Sequence, residues 1–453
     1  MGCVNFLVDV LLLVAPGDEI KTGRLVRKSK VSTQSWPPIL LGYSCGVLEK
    51  LGYTCKLYDP TVLGKSHSET ITLIDEWNPS SIALYWSYDT RKDDLAFAES
   101  LAVNYRVFLV GPWSAHYPEA LKDCPSVEAM TFGRFEYTLP KLIEGQKTEG
   151  VTYQNGVHIP QREPYNTAEL DWMPWVSKVY NEHLDITQYH QTSFKHPFID
   201  VFSGSGACPH RCSFCAWVNG MYQLHPKRWQ KRSLRSVLDE LWYIKHEMPE
   251  VKQVFFQDSD LVSSWARELS QAIIDEEMNL CWGSYSRADK DFETLSLMQT
   301  SGCRTIHVGY EVPIQSVLDE IQKDITVEQM EQFIKDVNKL NLWSSASFMI
   351  LPWLTETQIR VMIKWIKDNG ATRINVAQLQ AYPSCPITET IEKYREAGHH
   401  LMDFDEMKKW EQYCFKEFYL YNPKFWWNVL TNPGELKQVI SDGFGMLKFL
   451  GKK

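Results

Sequence analysis

With 453 residues, 44% of them hydrophobic and 23% charged, the chain has the composition of a folded protein of two or three domains, which excludes a single small module and a disordered polymer. Its 47 basic against 56 acidic side chains leave a net charge of −9, which excludes bulk attraction to a phosphate backbone, so no nucleic acid partner is expected. Eleven cysteines are too sparse for a disulfide scaffold, and their odd number fits free thiols in a reducing compartment.

The apolar run from Val4 to Ala15 is broken by Asn5 and Asp9 and falls short of the roughly 20 residues of a membrane span, so it reads as a buried strand. No basic segment precedes it, so a secretory leader is not expected and the default location is the cytoplasm. From Val10 to about Glu144 short apolar runs alternate with amphipathic stretches, with strands expected at Val10–Ala15, Thr54–Tyr58, Ser81–Trp86, Arg106–Val110 and Val127–Met130. Leu40, Leu41, Val47, Leu48 and Leu51 recur at helical spacing and Gly52 marks a helix stop; Asp89–Val103 and Phe135–Ile143 supply further helices. An α/β, doubly wound (Rossmann-like) domain over residues 1–146 follows. Residues 147–195, with Pro160, Pro164 and Pro174 and little periodicity, read as a surface linker.

Alternation resumes at Phe198, with strands expected at Phe198–Phe202, Val254–Phe256, Trp282–Ser286, Thr305–Val308, Ser347–Leu351 and Ile374–Leu379. Thr326 with Gln329 and Thr355 with Gln358 have capping-box spacing, and the helices behind them place Met330, Phe333, Ile334 and Val337, then Ile359, Met362, Ile363 and Ile366, on one face. Six strand–helix units over residues 196–387 predict a partial barrel with its chemistry at the C-terminal strand ends. Residues 388–453 read as a mainly helical accessory region. Its Phe425-Trp-Trp-Asn-Val-Leu segment, followed by Lys437 and Lys448 in an amphipathic stretch from Pro433 to Lys453, leaves room for peripheral membrane contact, although a docking helix is the simpler reading. No transmembrane segment is expected.

After the first barrel strand, Gly206-Ala-Cys208-Pro-His-Arg-Cys212-Ser-Phe-Cys215 carries three cysteines spaced CxxxCxxC, an arrangement that arises by chance with a probability of roughly 0.6%. Three thiolates on one short loop can grip three irons of a cubane and leave the fourth open to a chelating ligand. Zinc is the rival reading, with His210 as a fourth ligand. The remaining cysteines are scattered and read as core thiols.

The triplet, with Phe214 before its last cysteine, resembles the signature of the radical S-adenosylmethionine (SAM) superfamily. Arg232-Ser-Leu-Arg-Ser-Val-Leu-Asp-Glu-Leu, Val254-Phe-Phe-Gln-Asp258, Ser286-Arg287, the run from Ser301 to Glu311, and Tyr382-Pro-Ser-Cys-Pro386 are similar to that family's landmarks and stand in its order. The first domain resembles the cobalamin-binding domain of one large subfamily, through Pro37-Pro-Ile-Leu-Leu-Gly42, Val47-Leu-Glu-Lys-Leu-Gly-Tyr53, Val110-Gly-Pro112 and Gly133-Arg-Phe-Glu-Tyr-Thr-Leu139. The likeness spans nearly the whole chain. Four departures stand out: Gln257-Asp258 stands for the usual glycine pair and acidic residue, Pro352-Trp353-Leu354 for the Gly-rich turn, Arg134 for the usual Glu, and no Asp-x-His-x-x-Gly segment offers a histidine to cobalt.

What the resemblance implies is a [4Fe-4S] cluster on Cys208, Cys212 and Cys215, with SAM contacts from Phe214, Asp258, Ser286, Arg287 and Glu311. It further implies cobalamin contacts from Ser87, Gly111, Gly133 and Glu136. The activity implied is methylation of an unactivated carbon, in which one SAM methylates cobalt and a second yields a 5′-deoxyadenosyl radical. The substrate would be a small molecule or natural product, and the electron would come from an external flavodoxin- or ferredoxin-type donor. A radical cyclase or ring-rearranging oxidoreductase with the same cofactors is the alternative enzyme, and a corrinoid- or cluster-binding regulator without turnover is the alternative outside catalysis.

Overall fold

The computed structural model describes residues 8–17, 35–160, 163–191, 193–221 and 227–431. Its first sheet is built from β1 (Val8–Val14), β2 (Cys55–Tyr58), β3 (Pro79–Tyr85), β4 (Arg106–Val110), β5 (Ala129–Thr131), β6 (Val151–Tyr153) and β7 (His158–Ile159), in the order β2-β1-β3-β4-β5-β6-β7. The first five are parallel and the last two antiparallel. β1 and β3 are interior strands and are buried on both faces, as strands covered on both sides must be. All five expected strands are present. Helices Ile39–Lys50, Arg91–Ala102 and Thr138–Ile143 stand where periodicity put them, and a further helix, His67–Trp77, is started by a Ser66/Glu69 capping box.

The stretch read as a linker is structured instead. It adds the β6–β7 hairpin to the first sheet and two helices, Thr167–Trp172 and Val176–His183. The second of these packs on helix Ile39–Lys50 through two glycines: a Cβ on Gly42 would stand 2.6 Å from Val176 and one on Gly46 3.0 Å from Val179. That close crossing explains why helix Ile39–Lys50 is buried along most of its length rather than on one face.

The second sheet is β8 (Phe198–Val201), β9 (Gln253–Phe256), β10 (Trp282–Arg287), β11 (Cys303–Glu311), β12 (Trp343–Ile350) and β13 (Arg373–Gln378). All six are parallel and pair in chain order, which is the predicted partial barrel. Both predicted capping boxes close as hydrogen-bonded pairs, and the eight apolar residues behind them are buried. An aromatic group of Trp36, Phe194, Phe198 and Phe255 packs together beside the starts of β8 and β9. Helices Ile387–Glu396, Phe404–Phe415 and Pro423–Thr431 follow the barrel. Trp427 and Leu430 are exposed there, and the stretch from Pro433 with Lys437 and Lys448 lies outside the described residues. Among the described residues no helix is long and apolar enough to cross a membrane.

Candidate functional site

Beyond β8 the chain turns sharply at Gly204 and Gly206. A Cβ on Gly204 would meet the Gln230 carbonyl oxygen at 2.5 Å; at Gly206 a φ of +72° combines with a Cβ position 2.6 Å from the Phe202 ring. The Gly206 carbonyl accepts from Trp217 Nε1 at 2.8 Å and Ser259 Oγ at 2.9 Å, which fixes the turn from both sides. Gly206→Ala is expected to cost about 1–3 kcal/mol through the left-handed backbone alone, checked by urea denaturation, with a parallel loss of iron uptake.

This turn delivers Cys208 and Cys212, both buried, and the half-buried Cys215 to the C-terminal end of the barrel. Arg228, itself buried, clamps the loop: Nε donates to the Cys208 carbonyl and Nη2 to that of His210. Arg287 Nη1 reaches Cys212 Sγ at 3.8 Å. Burial first, then the charges of Asp260, Cys215 and Cys212, push the Cys208 thiol up to about 12. A bare Cys208 is therefore neutral at ordinary pH, and a bound cation is what makes a thiolate of it. Three soft donors on one loop with two guanidiniums beside them fit an anionic iron–sulfur cluster.

The loop rests on a buried charge network that the residue pattern did not announce. Asp260 Oδ1 accepts from Lys290 Nζ at 3.0 Å and from the Arg287 amide at 3.2 Å, while Oδ2 accepts from His210 Nε2 at 3.1 Å. Burial would raise the Asp260 pKa, but Lys290 and then His210 outweigh it and hold the carboxyl below the usual carboxylate range. His210 is thus engaged by a carboxylate within the network.

The residues expected to contact SAM fall into two groups. Asp258 Oδ2 accepts from the Ser203 amide at 2.7 Å and its hydroxyl at 2.8 Å, so this carboxylate caps the end of β8. Arg287 is heavily engaged: Nε donates to Asp289 at 2.9 Å and Nη2 to the carbonyls of Lys323 and Asp324. The guanidinium expected to contact SAM is thus engaged in holding the loop after β11. Ser286 Oγ donates to the Arg287 carbonyl at 2.8 Å. Glu311 sits where the β11–β12 register shifts, at φ +63°, and accepts from Lys323 Nζ at 2.8 Å. Phe214 is half-buried against the core, between Ser213 and Cys215. The structure therefore brings Phe214, Ser286, Arg287 and Glu311 around the same barrel mouth as the thiols, with Lys323 as an unanticipated member.

The C-terminal edge of the first sheet meets that mouth. Arg134, after β5, donates through Nη1 to the Ser205 carbonyl at 2.7 Å and pairs with Glu136; the side chains of the pair are 1% and 0% exposed. Tyr165 OH donates to the other Glu136 oxygen at 3.0 Å. Glu136 thus supports an arginine rather than facing an open cleft. Gly111, after β4, has φ +127°, and a Cβ there would press on the Tyr85 ring at 3.0 Å; Gly133, after β5, has φ +51°. Ser87, after β3, gives its amide to Asp94 at 2.9 Å. Among the described residues, Ser87 Oγ, Trp86 Nε1, Trp113 Nε1 and Ser114 Oγ are buried with no hydrogen-bond partner. Orphaned polar atoms in a buried row are costly. Their row along the β3 and β4 strand ends fits a polar macrocycle such as cobalamin.

His116, which the residue pattern did not single out, joins the two parts. Its Nε2 donates to the Ala216 carbonyl at 3.0 Å, one residue past Cys215, so Nδ1 is the acceptor and takes the Ser384 hydroxyl. Tyr382 lies against the ring at 4.9 Å between centroids. Burial lowers the His116 pKa from 6.5 to about 4, against the Ala216 carbonyl, which raises it. Such a group binds fewer protons folded than unfolded between those values, so its share of stability is complete above pH 6.5 and is lost on acidification toward pH 4. The expected loss is about 3 kcal/mol. Urea melts across this range should show the slope in the parent protein and a flatter one in His116→Gln.

Residues 202–366 match the family model of the radical SAM superfamily. An uncharacterized methyltransferase of Pyrococcus horikoshii is 25% identical over 84% of this chain and 82% of its own length. An anaerobic magnesium-protoporphyrin IX monomethyl ester cyclase of Rubrivivax gelatinosus is 22% identical over 84% of this chain and 69% of its own. Among solved structures, the radical SAM methyltransferase TsrM of Kitasatospora setae, with cobalamin and a [4Fe-4S] cluster bound, superposes with a TM-score of 0.64 at 16% identity, covering 85% of this chain and 75% of its own. Residues 202–366 are a radical SAM domain, set in a chain whose overall fold is that of the cobalamin-bound Kitasatospora enzyme.

Proposed function

We propose that this protein is a cobalamin-dependent radical SAM methyltransferase that acts on an unactivated carbon of a small molecule. The observation that carries the reading is the meeting of two strand-end edges: the thiol loop of the barrel abuts, through Ser205 and Ala216, the edge of the first sheet where Ser87, Trp86, Trp113 and Ser114 hold unmatched polar atoms. When bound, the cluster would supply the electron that splits SAM into methionine and a 5′-deoxyadenosyl radical, which becomes 5′-deoxyadenosine on taking a hydrogen atom from the substrate, and cobalamin would supply a methyl carrier next to it.

In this reading Cys208, Cys212 and Cys215 hold the cluster. Phe214, Ser286 and Glu311 line the SAM pocket, whereas Asp258 through Oδ2 and Arg287 through its guanidinium position the loops that form it, by their bonds to Ser203, Asp289 and the Lys323 turn. Ser87 and the backbone at Gly111 and Gly133 contact the corrinoid, and Glu136 orients Arg134. His116 in its neutral form keeps Ala216, and with it the end of the thiol loop, against the first sheet. An external donor of the flavodoxin or ferredoxin type delivers the electron.

The test is anaerobic production with cobalamin supplied, followed by the visible spectrum of the purified protein. About one retained corrinoid per chain is expected. Its absence from folded, iron-loaded protein would remove the methyl-carrier half of the proposal. The cyclase relative supports a second reading with the same cofactors, and product mass separates them: methylation adds one CH₂ and cyclisation does not.

A further inference from the structure

Three donor groups from helices Ile39–Lys50 and Val176–His183 converge, with the thiol of Cys55 near them at the start of β2. Cys45 and Glu49 stand one turn apart on the first helix, a spacing that stacks them on one face. Gly52, at φ +94°, turns the chain back so that Cys55 opens β2 near Cys45. His183 ends helix Val176–His183, which Gly42 and Gly46 admit into close contact. Its Nε2 lies 3.8 Å from Cys45 Sγ and 2.8 Å from Glu49 Oε1, and the Cys45, Glu49 and His183 donor atoms all fall within 4.8 Å of one another.

The geometry points to a structural divalent-metal site, of the chemistry zinc prefers, formed by Cys45, Cys55, His183 and Glu49. Two thiolates, one imidazole and one carboxylate are a complete tetrahedral set, with no position left for catalysis. A tetrahedron with usual zinc–sulfur and zinc–nitrogen bonds separates S from N by about 3.6 Å, close to the 3.8 Å between Cys45 and His183. Glu49 needs to retract by about half an ångström from His183, and its side chain is 30% exposed, so it has room and gives an ion a path in. Binding at Nε2 puts the ring proton on Nδ1, so the long 3.4 Å contact from the Leu57 amide is given up. Both thiol protons leave to solvent as the cation enters. The site would fasten the first sheet's flank to the segment that leads into the barrel.

The test uses the iron-loaded holoprotein, so that the Cys208–Cys215 loop is filled. It is exposed to Zn²⁺, freed of excess ion, and assayed for zinc and iron. About one zinc per chain at unchanged iron is expected, and Cys55→Ser/His183→Gln should lose it while keeping its iron. Alkylation of Cys55 in the parent protein should slow at least about tenfold with zinc present and recover with a chelator, a readout that needs no variant. Iron-loaded parent protein that binds no zinc, a Cys45–Cys55 disulfide in its place, or a folded variant that keeps its zinc would each overturn the assignment.

Discussion

Cys212→Ala is expected to leave a folded protein that holds less than about one iron in place of four and forms no 5′-deoxyadenosine from SAM. The thiol is buried beside Arg287 and donates nothing to the hydrophobic core, so its removal takes away a donor rather than packing. Two thiols cannot replace three on the same loop, because Arg228 and the Gly206 turn fix where the others stand. The neighbouring charges make the effect specific: with no anionic cluster, Arg287 keeps its bonds to Asp289 and the Lys323 turn and the barrel mouth stays assembled. Cys281→Ser is the control, since that thiol lies just before β10, at the opposite end of the barrel, and should keep full iron and full cleavage. Iron assay with quantified 5′-deoxyadenosine reads both. A Cys212→Ala protein that retains four irons would remove this residue from the ligand set.

Arg134→Met is expected to destabilise the protein by about 3–5 kcal/mol, the usual cost of stranding one member of a buried ion pair. Glu136 would keep only the Tyr165 hydroxyl, and the Ser205 carbonyl would lose its donor, which loosens the thiol loop from the first sheet. The double change Arg134→Met/Glu136→Leu should recover most of that stability, since a well-packed apolar pair of similar volume is often as good as a buried salt bridge. It should not restore the Ser205 contact. Urea denaturation of the single and double variants separates the charge effect from the packing effect, and corrinoid retention in the double variant reports the lost contact between the two parts.

The architecture was legible because most of it is written in local signals. β8 to β13 are flanked by helices with capping boxes at Thr326 and Thr355, and their apolar runs match the buried positions within a few residues. β12 starts at Trp343, ahead of the expected Ser347, because Trp343-Ser-Ser-Ala carries too little hydrophobic contrast to read as strand. β6 and β7 are too short for periodicity, yet Asn155-Gly156 between them is a hairpin dipeptide, with Gly156 at φ +81°. Helix Val176–His183 has Val176, Val179 and Tyr180 at helical spacing, a signal hidden by the prolines before it. The thiol loop was legible from spacing alone. Asp260, Arg228, Lys323 and His116 were not, because each acts on a residue 12 or more positions away and no local pattern encodes that meeting. Arg287 and Glu311 end β10 and β11, but the partners that engage them, Asp289 and Lys323, could only be seen in three dimensions.

The central claim is that three thiols on the β8 loop carry a cluster that binds and splits SAM. Its most direct test is anaerobic incubation of the reduced, iron-loaded protein with SAM and quantification of 5′-deoxyadenosine. The account predicts at least one equivalent per chain, lost in Cys212→Ala. An intact, fully reduced cluster that yields none under these conditions would contradict it.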